Sequence, residues 1–139
     1  MDPDPRVFGP HMWFTLHTIS FFYPEHPTSS DMLTYKEFFV RFSNFIPCKL
    51  CSKHYDLYIH NYPIDGYLNS RESLARWVVN LHNSVNRRLH KTEIPFDQVL
   101  RMYKQSYQYD HTLWKKSNVT YLSMFAVICA FIYWRVHTK

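Results

Sequence analysis

Two of the three cysteines in this chain of 139 residues, Cys48 and Cys51, are separated by two residues and follow Pro47. This spacing suits a redox dithiol that closes into a disulfide within one helical turn, or half of a zinc site. Three cysteines are too few for a scaffold of structural disulfides. The third, Cys129, lies in a long apolar run, where we expect a small apolar core or lipid-facing residue.

The residues around the dithiol favour a reactive pair over a structural one. A cysteine in the first turn of a helix lies at the positive end of the helix dipole, beside unpaired N–H groups, and both favour the thiolate. Lys49, Lys53 and His54 add positive charge. Zinc is the alternative, with Cys48, Cys51 and His54 as three ligands and another histidine completing the site. The motif chemistry alone leaves both interpretations open and favours redox.

The elements that position the dithiol are predicted to be helices. Glycine is rare, and apolar residues recur at steps of three and four, a pattern typical of helices and not of a β-sandwich. The first predicted helix runs from Pro10 to Tyr23-Pro24, and the second has Ser30 or Asp31 as its N-cap and is interrupted by Pro47. The third opens at Cys48 and ends before Pro63. The fourth is capped by Asn69 or Ser70, and a short fifth runs from Pro95 or Asp97 through Tyr103 to Tyr107. Four amphipathic helices with short connections predict a bundle.

Polar side chains lie beside the apolar stripe of the predicted fourth helix. His82 and Asn86 are four residues apart, and Asn83 and Asn86 are three apart, so they are neighbours on a helix surface. One interpretation is an exposed polar face. The other is a flat, heteroatom-rich ligand that lies against the helix. The first helix offers a similar mix in Trp13 and His17, four residues apart.

The C-terminal part of the chain resembles a membrane anchor. No charged residue occurs between Lys116 and Arg135, and a helix of that length spans roughly 27 Å, close to the ~30 Å of a bilayer's hydrocarbon core. We therefore predict a transmembrane helix over residues 117–135, with a buried core or packing helix as the alternative. Because the N-terminus lacks the pattern of a signal peptide, we expect a tail anchor, with residues 1–112 forming a domain in the cytosol.

The charge pattern gives little support to a nucleic-acid partner. The formal net charge is +5, but lysine and arginine are scattered along the chain. No DNA- or RNA-binding motif accompanies them. We therefore expect no nucleic acid among the partners.

Four blocks of the sequence resemble motifs of the Erv/ALR family of FAD-linked sulfhydryl oxidases. They are Gly9-Pro10-His11-Met12-Trp13-Phe14-Thr15-Leu16-His17-Thr18, Phe22-Tyr23-Pro24, Ile46-Pro47-Cys48-x-x-Cys51 and Trp77-x4-His82-Asn83-x-Val85-Asn86-x-x-Leu89-x-Lys91. The blocks follow the family's order and cover about residues 6 to 107. The small size and single C-x-x-C look most like the versions encoded by large DNA viruses.

The resemblance implies an all-α fold: a four-helix bundle with a short fifth helix, binding FAD and usually forming a homodimer. It implies that Cys48 exchanges with a substrate dithiol and that Cys51 lies against the flavin, which passes electrons to O₂ and yields hydrogen peroxide. It implies no metal. The implied FAD contacts are Gly9, His11, Trp13, His17, His82, Asn83, Val85, Asn86, Leu89, Lys91 and Tyr103.

The sequence also departs from the family's pattern. Many cellular relatives carry a structural disulfide where this chain has apolar residues around Val79 and Phe96, so packing is expected to replace it. A flexible shuttle dithiol is also missing, which implies a separate dithiol protein, such as a thioredoxin-like relay, docking at Cys48. Tethering where virions assemble would raise the local concentration of that partner. The rival hypotheses are a membrane-anchored zinc-binding protein and a structural helical protein.

Overall fold

The computed structural model describes residues 3–108, which form helices and turns without strands. The chain divides into one unit that ends at Val99 and a second that begins at Leu100. The helices are α1 (Pro5–Phe21), α2 (Ser29–Arg41), α3 (Lys49–Asn61), α4 (Arg71–Arg88) and α5, of which residues 96–108 are described, with 3-10 turns at Phe42–Phe45 and Ile64–Tyr67. The prediction of an all-α fold with five helices is confirmed for this part of the chain.

Helix α1 begins five residues earlier than the sequence pattern suggests. Asp4 is its N-cap, since the carboxylate accepts a hydrogen bond from the Arg6 N–H at 2.8 Å. Pro5 occupies the first turn, where its missing N–H costs nothing. The prediction that Pro10 starts the helix was therefore wrong, and Pro10 lies inside α1. The helix also ends at Phe21, two residues before Tyr23.

Both ends of helix α2 also differ from their predicted positions. Thr28, and not Ser30 or Asp31, is the N-cap: its side chain accepts from the Asp31 N–H while the Asp31 carboxylate accepts from the Thr28 N–H. This reciprocal pair is a capping box. At the other end, α2 stops at Arg41 and tightens into the 3-10 turn Phe42–Phe45, so Pro47 lies beyond the helix and does not interrupt it.

The start of α3 agrees with the prediction that the helix opens at Cys48, and the start of α4 with one of its two predicted caps. Cys48 is the N-cap of α3. Ser70 is the N-cap of α4, with its hydroxyl accepting from the Ser73 N–H at 3.2 Å. Both segments therefore enter their helices from extended backbone, as capping residues do.

Helix α4 ends in a Schellman motif built around His90. The Lys91 N–H donates to the Asn86 carbonyl at 2.8 Å, and the His90 N–H donates to the Arg87 carbonyl at 3.1 Å. His90 has a φ of 54°, in the left-handed region that usually selects glycine. The motif turns the chain sharply into the segment that leads to α5.

The core is centred on the first half of α4. Trp77 is 1 % exposed, and its ring meets Phe39 of α2 and Tyr58 of α3 edge-on at 5.7 Å between ring centroids. The Trp77 Nε1–H donates to the Tyr62 carbonyl at 2.9 Å, so the buried indole is satisfied. The fully buried Leu16 brings α1 onto the same cluster.

The predicted membrane span over residues 117–135 lies outside the described residues. Among residues 3–108, no helix has the length and apolar character needed to cross a bilayer.

Candidate redox and cofactor site

Cys48 and Cys51 form a disulfide across the start of α3. Their Cα atoms are 5.2 Å apart, and both residues are half-buried. The Cys51 N–H donates to the Cys48 Sγ at 3.2 Å. A sulfur in this position lies at the positive end of the α3 dipole and already accepts a backbone hydrogen bond, so the reduced form of Cys48 is biased towards the thiolate.

The local sequence fixes the position of this pair. Pro47 has no N–H and precedes Cys48, which has extended backbone and caps the helix. The Ser52 hydroxyl donates to the Ser43 carbonyl at 2.9 Å. That bond ties the first turn of α3 to the 3-10 turn before it, so the disulfide is held between two anchored segments.

A second cluster joins α1 to α4. The rings of Trp13 and His82 are stacked, with centroids 4.0 Å apart and an interplanar angle of 5°. Nε2 of His17 lies 3.0 Å from Nδ1 of His82, so the two imidazoles share a hydrogen bond. The sequence placed Trp13 with His17 on one helix and His82 on another, and the structure brings all three together.

Both histidines of this cluster are held neutral at physiological pH. Burial, followed by the neighbouring His82, lowers the pKa of His17 to about 3. Burial, followed by the charge of Lys91, lowers the pKa of His82 to about 4. A neutral imidazole has one donor and one acceptor nitrogen, and its ring can stack. The cluster therefore offers flat surfaces and mixed hydrogen-bonding groups of the kind that suit an aromatic heterocycle.

Asn83 fastens the segment that follows α4. Its Oδ1 accepts from the Ile94 N–H at 3.0 Å, and its Nδ2 donates to the Ile94 carbonyl at 2.9 Å. The Asn86 amide lies 3.4 Å from the same Oδ1 and is almost completely buried. Sequence reasoning assigned both amides to the cofactor and missed this structural contact. The only sequence signal for this contact was an amide near the predicted end of the fourth helix, in a chain that reaches Pro95 a few residues later.

The end of α4 lies within electrostatic reach of the dithiol helix. Burial, then Arg88 and then Lys53, lowers the pKa of His54, which is one turn beyond Cys51 on α3. Arg88 is the last residue of α4. His82 precedes it by roughly 9 Å along the helix axis at about 1.5 Å per residue. Helix α4 therefore runs from the imidazole cluster towards the first turns of α3.

The remaining predicted contacts are spread over α1, α4 and α5. Gly9 lies within α1, where an added Cβ would meet nothing within 4 Å, and His11 on the same helix is exposed. Val85 is half-buried on α4, Leu89 is 53 % exposed at its C-cap, and Lys91 is exposed just beyond. Tyr103 lies on the described helical residues of the second unit. The cofactor roles of the predicted residues stay predictions.

Apolar side chains stand at Val79 and Phe96, the positions around which packing was expected. Val79 is 3 % exposed. The Phe96 ring lies 4.1 Å from the Arg76 guanidinium carbon and 6.4 Å from the Phe21 ring centroid. Phe96 thus makes an aromatic and a cation–π contact in the segment after α4, and the expectation that packing replaces a disulfide there stays a prediction.

No group of three or more His, Cys, Asp or Glu side chains within residues 3–108 is arranged to hold a metal ion. In particular, His54 is not part of such a group with the two cysteines.

The fold and the site define a helical protein with a disulfide at the N-terminus of α3 and a neutral imidazole–indole cluster that joins α1 to α4. The model of the Erv1 / Alr family matches residues 10–108, and the chain belongs to this family.

Its relatives include proteins of large DNA viruses and of yeast. The chain is 36 % identical over 83 residues to a probable FAD-linked sulfhydryl oxidase of Acanthamoeba polyphaga mimivirus, covering 59 % of this chain and 58 % of that one. It is 38 % identical over 90 residues to the mitochondrial FAD-linked sulfhydryl oxidase of Saccharomyces cerevisiae, covering 64 % and 46 %. The matched region thus spans about half the length of these two relatives. An FAD-linked sulfhydryl oxidase of African swine fever virus is 30 % identical over 99 residues, covering 71 % and 82 %.

Solved structures of yeast Erv1 share the fold. The crystal structure of the Erv1 core has a TM-score of 0.65 and 34 % identity, covering 68 % of this chain and 79 % of that one. The FAD binding domain of Erv1 has a TM-score of 0.65 and 33 % identity, covering 68 % and 89 %.

Proposed function

We propose that this protein is an FAD-dependent thiol oxidase that forms disulfides in protein substrates. The observation that carries the proposal is the half-buried Cys48–Cys51 disulfide at the N-terminus of α3, in a chain of the Erv1 / Alr family. The relatives named above are FAD-linked sulfhydryl oxidases, which supports the same chemistry here.

The residues of the α1–α4 cluster fit a flavin nucleotide. Trp13 and His82 provide stacking surfaces, and the His17–His82 pair provides neutral hydrogen-bonding nitrogens. Trp13, His17 and His82 would hold the cofactor, with Asn86 and Lys91 contributing from the end of α4. When bound, FAD would supply the two-electron acceptor for the dithiol and the reaction with O₂ that yields hydrogen peroxide.

The thiol exchange itself is carried by the chain's own cysteines. A substrate thiolate attacks the Cys48 Sγ, the Cys48–Cys51 bond breaks, and Cys51 leaves as a thiolate. The second substrate thiolate then attacks the substrate sulfur of the mixed disulfide and releases Cys48 as a thiolate. The N–H of Cys51 and the α3 dipole stabilise the charge on Cys48 as it leaves. One substrate disulfide is formed and one protein disulfide is reduced.

One preparation tests the proposal against its rivals. The full-length protein should be yellow, bind FAD and consume O₂ when it is given dithiothreitol. Bound zinc without flavin would favour a zinc-binding protein, and a preparation with neither would favour a structural helical protein. Either result would overturn the oxidase proposal.

We further propose a homodimer that is anchored to a membrane through residues 117–135, with the oxidase domain in the cytosol of a host cell and the virion membrane as an alternative location of the anchor. The family resemblance, the uncharged C-terminal stretch and the viral relatives support this arrangement. The substrate would be a dithiol protein such as a thioredoxin-like relay. A protease-protection assay on expressing cells tests the topology, since a luminal oxidase domain would contradict it.

A further inference from the structure

Exposed apolar and basic side chains flank the disulfide. Phe45 is 72 % exposed in the 3-10 turn before Cys48, and Leu50 is 64 % exposed between the two cysteines. Lys49 and Lys53 are exposed one turn apart on α3. Phe45, Lys49, Leu50 and Lys53 are called here the α3 docking face.

The two lysines of the α3 docking face form no ion pair within the described residues, and Asp56 is the first acidic residue that follows them on α3. Five basic side chains of residues 3–108 lie in ion pairs, namely Arg6, Lys36, Arg71, Arg76 and Arg87. Lys49 and Lys53 belong to none of these pairs. Between Glu37 and Asp56 the chain has no acidic residue. A partner at this face would therefore meet net positive charge around a reactive sulfur.

We propose that the α3 docking face binds an acidic segment of the substrate protein whose dithiol lies beside an apolar side chain. This inference rests on the proposed function and specifies its substrate class. Charge complementarity favours acidic residues on the partner, and the exposed Phe45 and Leu50, which precede and follow Cys48 in the sequence, offer apolar contact. A membrane surface would satisfy the same side chains, but it would cover the disulfide and close it to thiols.

The docked reaction is balanced without a further reactant. The partner's dithiol gives up two electrons and two protons and becomes a disulfide. The Cys48–Cys51 bond accepts them and becomes a dithiol. A single turnover can therefore be measured without O₂, whatever the fate of the electrons afterwards.

Two matched peptides test the charge preference on the full-length, FAD-supplemented protein. Each peptide carries one reduced C-x-x-C dithiol next to a leucine, and the flanking residues are glutamates in one peptide and lysines in the other. The measurement is the anaerobic rate of peptide disulfide formation, read by rapid quenching and mass spectrometry. Dithiothreitol, which is uncharged, reports the intrinsic reactivity of the Cys48–Cys51 disulfide.

The acidic peptide should react about tenfold faster than the basic peptide at low ionic strength, and the two rates should converge in 0.5 M salt. K49E and K53E should each reduce or reverse this ratio after normalisation to dithiothreitol. K36E is the matched control, because Lys36 pairs with Asp65 in the turn that precedes α4, at the opposite end of that helix from Arg88.

F45S should raise KM for both peptides about threefold in steady-state turnover, with V40S on α2 as its control.

Equal rates for the two peptides at low ionic strength would overturn the proposal, as would a K36E effect as large as that of K49E. If phosphatidylserine vesicles blocked thiol exchange and K49E or K53E relieved the block, the α3 docking face would be a membrane contact and the proposal would be wrong. A charge-dependent single turnover in a protein that consumes no O₂ with dithiothreitol would support docking and overturn the oxidase function.

Discussion

The indole of Trp13 on α1 and the imidazole of His82 on α4 lie parallel, with ring centroids 4.0 Å apart. Nε2 of His17 lies 3.0 Å from Nδ1 of the same imidazole, so the two histidines share a hydrogen bond beside the stack. The cluster joins α1 to α4 through the side chains that are proposed to contact FAD. It therefore couples the stability of the bundle to the proposed cofactor site.

Removing the stack should weaken FAD binding. W13A is expected to lower FAD affinity by at least about tenfold, because it deletes one stacking surface and the contact that orients His82. W13F should retain most of the affinity, since a ring remains. Titration of the apoprotein with FAD, followed by flavin fluorescence, measures the effect. Equal affinity in W13A and the unmodified protein would contradict the placement of FAD at this cluster.

Replacing Cys51 should abolish turnover while leaving the cofactor bound. C51S removes the leaving sulfur of the thiol exchange, so we expect O₂ consumption with dithiothreitol to fall by about 100-fold or more. The yellow colour should persist, because the cluster of Trp13, His17 and His82 is unchanged. C129S serves as the control and should keep full activity. An active C51S protein would show that Cys48 and Cys51 are not the redox pair.

Acid should destabilise the fold through His17 and His82. Their pKa values in the folded state, about 3 and about 4, lie below the ordinary value near 6.5. The unfolded chain therefore binds more protons between these values, and stability falls as pH drops from 7 towards 4. The slope is at most about 1.4 kcal/mol per pH unit for each histidine.

Urea unfolding of the apoprotein at pH 7, 6 and 5 measures this dependence. The double variant H17Q/H82Q should be less stable at pH 7 but should lose less stability on acidification. H26Q, at an exposed position in the loop before α2, should keep the original slope. Parallel slopes for the double variant and the unmodified protein would refute the assignment.

His90 should be a site at which glycine stabilises the protein. Its φ of 54° is costly for a residue with a Cβ, so H90G should raise the free energy of unfolding by about 1 kcal/mol. R88G, in the last turn of α4, should instead lower it by about the same amount. Thermal or urea unfolding checks both variants. A destabilised H90G would indicate that the imidazole makes a stabilising contact that outweighs the backbone cost.

Asn83 should contribute to stability without a cofactor. N83A leaves the Ile94 N–H and carbonyl without their amide partner, which should cost about 1–3 kcal/mol in the apoprotein. N80A, at an exposed position one turn earlier on α4, should change stability by less than about 0.5 kcal/mol. If N83A were as neutral as N80A, the contact with Ile94 would not fasten the segment after α4.

The sequence predicted most of the fold because its signals are local. The helix start at Cys48 and the cap at Ser70 can be recognised from a few adjacent residues, and the apolar stripe of α4 from its spacing. The start of α1 was misplaced because two prolines, Pro5 and Pro10, both suit a first turn. Only the carboxylate of Asp4 decides between them, since it bonds to the Arg6 N–H.

The site was less accessible to sequence reasoning because it depends on contacts between helices. Spacing placed His17 and His82 on two different helices, but the hydrogen bond between them depends on how α1 packs against α4. The double hydrogen bond from Asn83 to Ile94 likewise requires the turn at His90. Family motifs supplied the candidate residues, whereas the geometry of their contacts came from the structure.

The close stack of Trp13 on His82 gives the chain an intrinsic optical probe. The two rings already occupy each other's inner faces, so any planar guest must displace one of them or add to an outer face. In either case the polarity around the Trp13 indole changes, and with it the wavelength and intensity of its emission. Trp77, which is buried and bonded to the Tyr62 carbonyl, would provide a steady background signal, and a W114F/W134F variant would remove the emission of the two remaining tryptophans. Occupancy of the cluster could thus be followed in unlabelled protein by light alone.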